Sequence, residues 1–225
     1  ERPPAAAALV VAGPELCDPV VLDGLLDRFA AGQACGDKRA AASQWSKYFF
    51  SRLIIAATVV QLAEDRALDL AIERLRLGFD AHGFTQTIAP DTPAPLTTAP
   101  GHDFSRLVER TLAPVVRALA GRCRLAPRVF WSNAAVYYDY ALGELAAQRR
   151  IAPGRIHAAG KMLTAPRLAG GARNPFYRPY RTLAPGAIDG NGQPATRCRR
   201  LCCMRDLDPR WSLCPDCPRA YGNRS

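Results

Sequence analysis

Apolar positions recur at three- and four-residue steps through much of the chain, and that period predicts helices. In "LCDPVVLDGLLDRFA" the residues Val21, Leu22, Leu25, Leu26 and Phe29 form one stripe. Asp18 is placed to cap this first helix, and Pro19 suits its opening position, where a missing N–H costs nothing. A longer helix is predicted from Lys38 to Ala67. Trp45, Tyr48, Phe49, Leu53, Ala56 and Val60 mark its apolar face, and the charged "EDRA" marks its exit. An aromatic stripe at this spacing reads as core and not as a cofactor box.

The period then shortens. Ile72, Leu75, Leu77 and Phe79 in "LAIERLRLGFD" suggest alternation, "AHG" signals a turn, and "FTQTIA" reads as the partner strand of a β-hairpin. The segment "PDTPAPLTTAP", Pro90 to Pro100, excludes helix and central strand and is expected to be a stiff connector or surface loop. Asp103 is placed to cap a helix through "FSRLVERTLAPVVRALAG", kinked or broken near Pro114. Another helix fits "SNAAVYYDYALGELAAQRR", with Ser132 as its cap and Val136, Tyr137, Tyr140 and Leu145 inward. After Lys161 the chain is rich in Gly, Pro and Arg, and extended or looped structure is expected. The fold class predicted is α+β, predominantly α-helical, with a small antiparallel β element and an irregular C-terminal cysteine-rich, cluster-binding segment. The expected organisation is an N-terminal segment with the first helix (1–37), a mixed helical body (38–197) and the cysteine segment (198–225).

Composition adds little to this picture, with 48% hydrophobic and 22% charged residues in a chain of 225, which is ordinary for a globular protein. Charge adds more. The net charge is +10, carried almost wholly by arginine, since Lys38, Lys47 and Lys161 are the only lysines. Such a surface suits nucleic acid, an anionic membrane face or an acidic protein partner, and does not choose among them. The longest apolar run, "LIIAATVVQLA", is far short of the roughly 20 residues a bilayer crossing needs. The chain opens without Met and without the basic start of a secretory signal, so a cytosolic, reducing compartment is expected, where clustered cysteines more often hold metal than form disulfides.

Five of the eight cysteines lie in "RCRRLCCMRDLDPRWSLCPDCPRAYG". Cys214 and Cys217 form a C-x2-C knuckle stiffened by Pro215 and Pro218, while Cys202 and Cys203 are adjacent. Neighbouring side chains of an extended segment point apart, so the adjacent pair suits a single zinc poorly. A [2Fe–2S] cluster has two metals, each needing two thiolates, and tolerates more arrangements. The simplest assignment gives Cys214 and Cys217 to one iron and Cys202 and Cys203 to the other. Arg199, Arg200, Arg205, Arg210 and Arg219 outnumber Asp206, Asp208 and Asp216 nearby, an excess that favours the reduced, more negative cluster. Cys198 is read as a bystander, and the scattered Cys17, Cys35 and Cys123 as small buried apolar side chains.

The stretch "RRLCCMRDLDPRWSLCPDCP" resembles the C-terminal signature of the FhuF-type ferric-siderophore reductases, C-C-x10-C-x2-C followed by Pro. "SQWSKYFFSRLI" is similar to that family's aromatic helix, "FWSNAA" to its W-x-N-A-type stretch, and "ARNPFYRP" to its Asn-Pro segment. The likeness runs in order from about Lys38 onward, and the first 35 residues carry none of it. It implies a cytoplasmic [2Fe–2S] protein with Cys202, Cys203, Cys214 and Cys217 as ligands, beyond which no catalytic residue is needed. It also implies the activity: one-electron reduction of a ferric siderophore, hydroxamate-type expected, with release of Fe(II). The electron donor is not specified, and peripheral contact with the inner membrane face is a further expectation. Trp45, Lys47, Tyr48, Trp131, Asn133, Tyr177 and Arg181 are candidates for the siderophore pocket, because aromatic walls with a few polar groups suit a bulky amphiphilic chelate. His82, His102 and His157 show no metal-ligand spacing, and His157 and Lys161 share at most a helical turn. The rival readings are a zinc-stabilised basic nucleic-acid-binding module, disfavoured by the adjacent cysteines, and a secreted disulfide scaffold.

Overall fold

The computed structural model describes residues 9–92, 96–189 and 191–221. Its architecture is α+β and mostly helical. Strand β1 (Leu9–Ala12) leads through a 3-10 turn into helix α1 (Pro19–Gly32) and then α2 (Lys38–Glu64). As the sequence predicts, Asp18 caps α1, its Oδ1 accepting from Val20 N at 2.8 Å, with Pro19 in the first position. Asp37 caps α2 in the same manner, accepting from Arg39 N at 2.8 Å.

Helix α2 stops at Glu64, short of the expected Ala67, because Asp65 turns left-handed (φ 53°) and the chain enters strand β2 (Arg66–Leu68). Its buried face is Trp45, Phe49, Phe50, Leu53, Ile54 and Ala57. Tyr48, Ala56 and Val60, expected on that face, lie outward because the buried stripe is centred one position away.

The predicted hairpin is present: β3 (Leu75–Phe79) pairs antiparallel with β4 (Thr85–Pro90), and β1 adds to the other side of β3 in the order β1-β3-β4. Ile72 sits in a 3-10 turn before β3. At the hairpin tip Gly83 has φ +75°, and a Cβ there would meet the Leu25 carbonyl at 2.6 Å. Only glycine fits both demands.

The proline-rich segment is corrected in part. Residues 93–95 lie outside the described residues, but β5 (Leu96–Pro100) pairs antiparallel with β2. A two-stranded sheet has only edges, so prolines are tolerated there.

Asp103 starts the next helical stretch, accepting from Ser105 N at 2.9 Å. Residues 107–112 form wide π turns that end as α3 (Ala113–Cys123) begins. Ala113 N–H reaches back five residues to Val108, which passes the ladder across Pro114, the position that supplies no N–H.

Helix α4 (Pro127–Gln148) starts five residues before the expected Ser132 cap, with Pro127 in its first turn. Its inward tyrosine is Tyr138, fully buried, whereas Tyr140 is 53% exposed. Short α5 (Pro153–Gly160) follows, and His157 and Lys161 fall at its end. The chain beyond is irregular, as composition predicts, apart from β6 (Tyr180–Thr182) pairing antiparallel with β7 (Arg197–Arg199).

One core cluster runs from Val11 to Phe176 and includes residues of all five helices. The cysteines Cys203, Cys214 and Cys217, with Cys202 against them, form a separate cluster laid on this body.

Candidate functional site: a four-sulfur centre on α2 and α4

Strand β7 delivers the chain to the site. Arg197 pairs with Asp139 of α4 at 2.6 Å, and its guanidinium lies 4.1 Å over the Tyr180 ring. Two residues later Arg199 turns inward and is only 2% exposed. Its Nη2 donates to Asn133 Oδ1 at 2.6 Å and Ser132 Oγ at 3.2 Å. The Asn133 amide in turn donates to Ser43 O, Ser43 Oγ and Ser46 Oγ at 3.1–3.2 Å. Asn133 thereby ties α2, α4 and the approach to the cysteines into one buried network. The Ser43 hydroxyl also donates to the Cys203 carbonyl.

The ten residues between the cysteine pairs dock against α2 and the turn before it. Asp208 holds them: its carboxylate accepts from Gly36 N at 2.9 Å and from Arg210 Nε at 2.9 Å and Nη2 at 2.7 Å. Arg210's guanidinium, with its backbone N–H, keeps the Asp208 carboxyl well below the usual carboxylate range. The second cysteine pair is tied back by Arg199 N–H to Asp216 O at 2.9 Å and by the Tyr221 hydroxyl to Pro215 O at 2.8 Å.

All four sulfurs come together, and they do so crosswise. Cys203 Sγ lies 3.2 Å from Cys214 Sγ, and Cys202 Sγ lies 3.9 Å from Cys217 Sγ. Each contact joins one sulfur of the adjacent pair to one of the knuckle. None of the eight cysteines is in a disulfide. Among the described residues, no three Cys, His, Asp or Glu side chains close on one point as ligands of a single metal ion would. The arrangement is two and two.

The two sulfur pairs have unlike surroundings. Lys47, one turn along α2 from Ser43, donates to Cys203 Sγ at 3.0 Å and Cys214 Sγ at 3.6 Å. The other pair meets a carboxylate, with Cys202 Sγ 3.5 Å from Asp206 Oδ1, and receives the Met204 N–H at 3.3 Å. In each pair one thiol donates to the other. Cys203 is pushed well down by the hydrogen bond with Cys214, with Lys47 and Arg199 assisting, and Cys214 is pushed up by the same bond and by burial. Cys217 is likewise lowered and Cys202 raised.

A cluster of thiolate-bound irons fits this setting. Arg199 is a buried cation with no carboxylate within 4 Å among the described residues, and its Nε has no hydrogen-bond partner. A buried charge of this kind calls for a counter-charge. Ionised sulfurs carrying a net negative cluster would supply one, and the donor set is the soft one that iron–sulfur chemistry uses.

Not every predicted neighbour serves the centre. Arg210 and Arg219 pair with Asp208 and Asp206, so their charge is locally cancelled. Lys47, which the sequence offers as a pocket residue, takes their place. Trp45 is core, its Nε1 donating to Gly83 O at 2.9 Å, and Tyr48 packs by its edge near Phe29 and Phe84. Arg181 lies on β6 opposite Cys198, which is buried on β7 outside the sulfur cluster. Cys123 is buried and donates to Leu119 O at 2.9 Å, while Cys17 and Cys35 are half-buried. Trp131 and Tyr177 do line a cavity.

That cavity, of about 920 Å³, is an open groove between α4 and the chain from Leu168 to Pro179, and it ends at Arg200 and Leu201. The Asn-Pro segment on its wall is rigidly held. Asn174 is buried, its amide donating to Met162 O at 2.6 Å and Ala165 O at 2.8 Å while its Oδ1 accepts from Phe176 N at 2.8 Å.

The site is thus four free thiols carried by a mostly helical α+β body, over a buried arginine and beside an open groove. The chain belongs to the family described as ferric iron reductase FhuF-like transporter, whose profile matches residues 43–187. Helix α2 from Ser43 onward, Asn133 and the Asn174 segment fall inside that match, and the four cysteines lie beyond its end. The chain is also 24% identical over 180 residues to the ferric siderophore reductase of Escherichia coli (strain K12). The alignment covers 78% of this chain and 64% of the relative. No helix among the described residues is long and apolar enough to cross a membrane.

Proposed function

We propose that this chain reduces a ferric siderophore by one electron, with a [2Fe–2S] cluster held by Cys202, Cys203, Cys214 and Cys217, and that Fe(II) leaves the chelate in the cytoplasm. The observation that carries the reading is the crosswise contact of the four sulfurs over Lys47 and Arg199. Two metals with two thiolates each suit two sulfur pairs better than one zinc does. The pairing assigned here is Cys203 with Cys214 on one iron and Cys202 with Cys217 on the other, in place of the assignment by sequence proximity.

When bound, the cluster supplies a one-electron carrier. The chain's own residues do the rest. The thiolates coordinate, and Lys47 and the buried Arg199 offset the negative charge that reduction adds. The groove, whose lining reaches Leu201, the residue before Cys202, holds the chelate. Ferric iron is a hard cation gripped by oxygen donors, and the ferrous ion binds them far more weakly, so electron delivery is itself the release step. No acid–base dyad is needed. The hydroxamate class rests on the family resemblance alone. The basic surface is read as a dock for an acidic electron donor or the anionic inner face of the membrane.

Anaerobic purification with iron and acid-labile sulfide analysis tests the cofactor. A brown protein that bleaches with dithionite, and loses its colour in the double variant Cys203→Ala/Cys214→Ala, is expected. A colourless zinc protein that binds nucleic acid with a steep salt dependence would overturn the reading.

A further inference from the structure

The two sulfur pairs differ in the net charge that touches them. Lys47 Nζ lies 3.0 Å from Cys203 Sγ and 3.6 Å from Cys214 Sγ. Among the described residues Lys47 forms no ion pair, so its charge is not cancelled locally. The buried Arg199 guanidinium, also without a carboxylate partner, favours the ionised form of the same two thiols.

At the other pair the charges offset one another. Asp206 Oδ1 is 3.5 Å from Cys202 Sγ, and the Arg219 guanidinium that bears on Cys202 is paired with Asp206 Oδ2. What remains is the neutral Met204 N–H, 3.3 Å from Cys202 Sγ, and some access to water, because Cys202 is half-buried while the other three are buried. Both features favour reduction on that side, but a hydrogen bond from a cation is roughly twice as strong as one from a neutral donor. The cationic pair wins.

Distant charges act almost equally on two irons that share bridging sulfides, so only groups in contact with the thiolates distinguish them. We propose that Lys47 decides which iron is reduced: the electron settles on the iron held by Cys203 and Cys214, and the iron held by Cys202 and Cys217 stays ferric. One electron from the donor, dithionite in the test, converts Fe(III)–Fe(III) to Fe(III)–Fe(II), with no bond made or broken. Lys47 is a positioning residue that acts through the thiolates. The inference rests on the reading of the four cysteines as [2Fe–2S] ligands.

Paramagnetic proton NMR of the reduced whole chain tests it. In an antiferromagnetically coupled Fe(III)–Fe(II) pair, cysteine β-protons on the ferric iron lose contact shift on warming, whereas those on the ferrous iron gain it. The chain has only three lysines, so selective 13C-lysine labelling, with Lys47→Gln as the blank, identifies Lys47. The β-protons with Overhauser contacts to Lys47, those of Cys203 and Cys214, are expected to gain shift on warming. Those of Cys202, identified through the Met204 N–H, and of Cys217 are expected to lose it. In Lys47→Glu the gain should pass to Cys202 and Cys217, and if that variant assembles no cluster, Lys47→Gln should pass on part of it.

Loss of shift beside Lys47, a split between Cys203 and Cys214, one dependence at all four cysteines, or a pattern unchanged in the Lys47 variants would each overturn the proposal. A brown protein giving any of these keeps the cluster reading. A colourless protein without iron and sulfide overturns both.

Discussion

The Lys47 ammonium lies 3.0 Å from Cys203 Sγ, although 156 residues separate the two in sequence. The lysine projects from α2 one turn after Ser43, whose hydroxyl fixes the Cys203 carbonyl. This places a positive charge where reduction of the proposed cluster would add a negative one. A unit charge at ~7 Å contributes about 2 kcal/mol at an effective dielectric near 20, on the order of 100 mV for one electron. Partial exposure of Lys47 reduces this to roughly half. Lys47→Gln is therefore expected to lower the midpoint potential by tens of millivolts in an EPR-monitored titration, and Lys47→Arg to keep most of it. An unchanged potential in the glutamine variant would show that the charge is irrelevant to the centre.

The crosswise sulfur contacts predict which single variants behave alike. In the proposed cluster, Cys203→Ser and Cys214→Ser would alter the same iron, the one beside Lys47 and Arg199. Cys202→Ser and Cys217→Ser would alter the other, beside Asp206. Mössbauer and reduced-state EPR spectra should fall into those two groups. Grouping by sequence neighbours, Cys202 with Cys203, would refute the assignment.

Asn133 is fully buried and serves Arg199, Ser43 and Ser46 at once. Asn133→Ala leaves the guanidinium without its shortest acceptor, at a cost of about 1.5–3 kcal/mol for a hydrogen bond to a charged group. A lower urea midpoint and faster loss of iron are expected, while Asn133→Asp should retain more of both by supplying a carboxylate. If alanine is as stable as the parent chain, Arg199 is satisfied in some other way.

Asp208 gives the protein an acid-sensitive latch. Arg210's guanidinium first, then its N–H, with help from the Cys35 thiol and Gly36 N–H, holds the folded carboxyl below its unfolded value of about 3.9. A depressed carboxyl contributes stability that is present above the unfolded pKa and is lost as pH falls from there towards the folded one. The stability gap between the parent and Asp208→Asn should be widest near about pH 6 and should narrow below about pH 4. A gap independent of pH would mean that the latch is not ionic.

Gly83 is a test of backbone geometry alone. Any side chain there combines a positive φ with contact against the Leu25 carbonyl, so Gly83→Val should destabilise by at least about 1–3 kcal/mol in denaturant unfolding. Wild-type stability in that variant would show that the hairpin tip can reposition freely.

Much of the fold was legible because its signals are local. The Asp18–Pro19 start of α1, the Asp103 start before α3 and the hairpin around Gly83 follow from short-range sterics and capping, and all three stand where the sequence puts them. Errors arose where a residue type has two local uses. Ser132 reads as a cap, but a proline five residues earlier opens the helix, and the serine hydroxyl is left to accept from Arg199. The aromatic stripe of α2 was displaced by one position, since Tyr48 can be counted on either face until a neighbour is packed against it.

The candidate ligands were found by spacing, which is covalent and needs no fold. Sequence by itself determined the helical α+β class, the capped helices and the set of four thiols. The crosswise sulfur contacts, the cation beside Cys203, the burial of Arg199 and the open groove were decided only by tertiary structure. The reason is physical: each is a contact between residues that local propensity does not pair, from 11 positions apart for Cys203 and Cys214 to 156 for Lys47 and Cys203. Their charges acquire meaning only when packing removes water from between them.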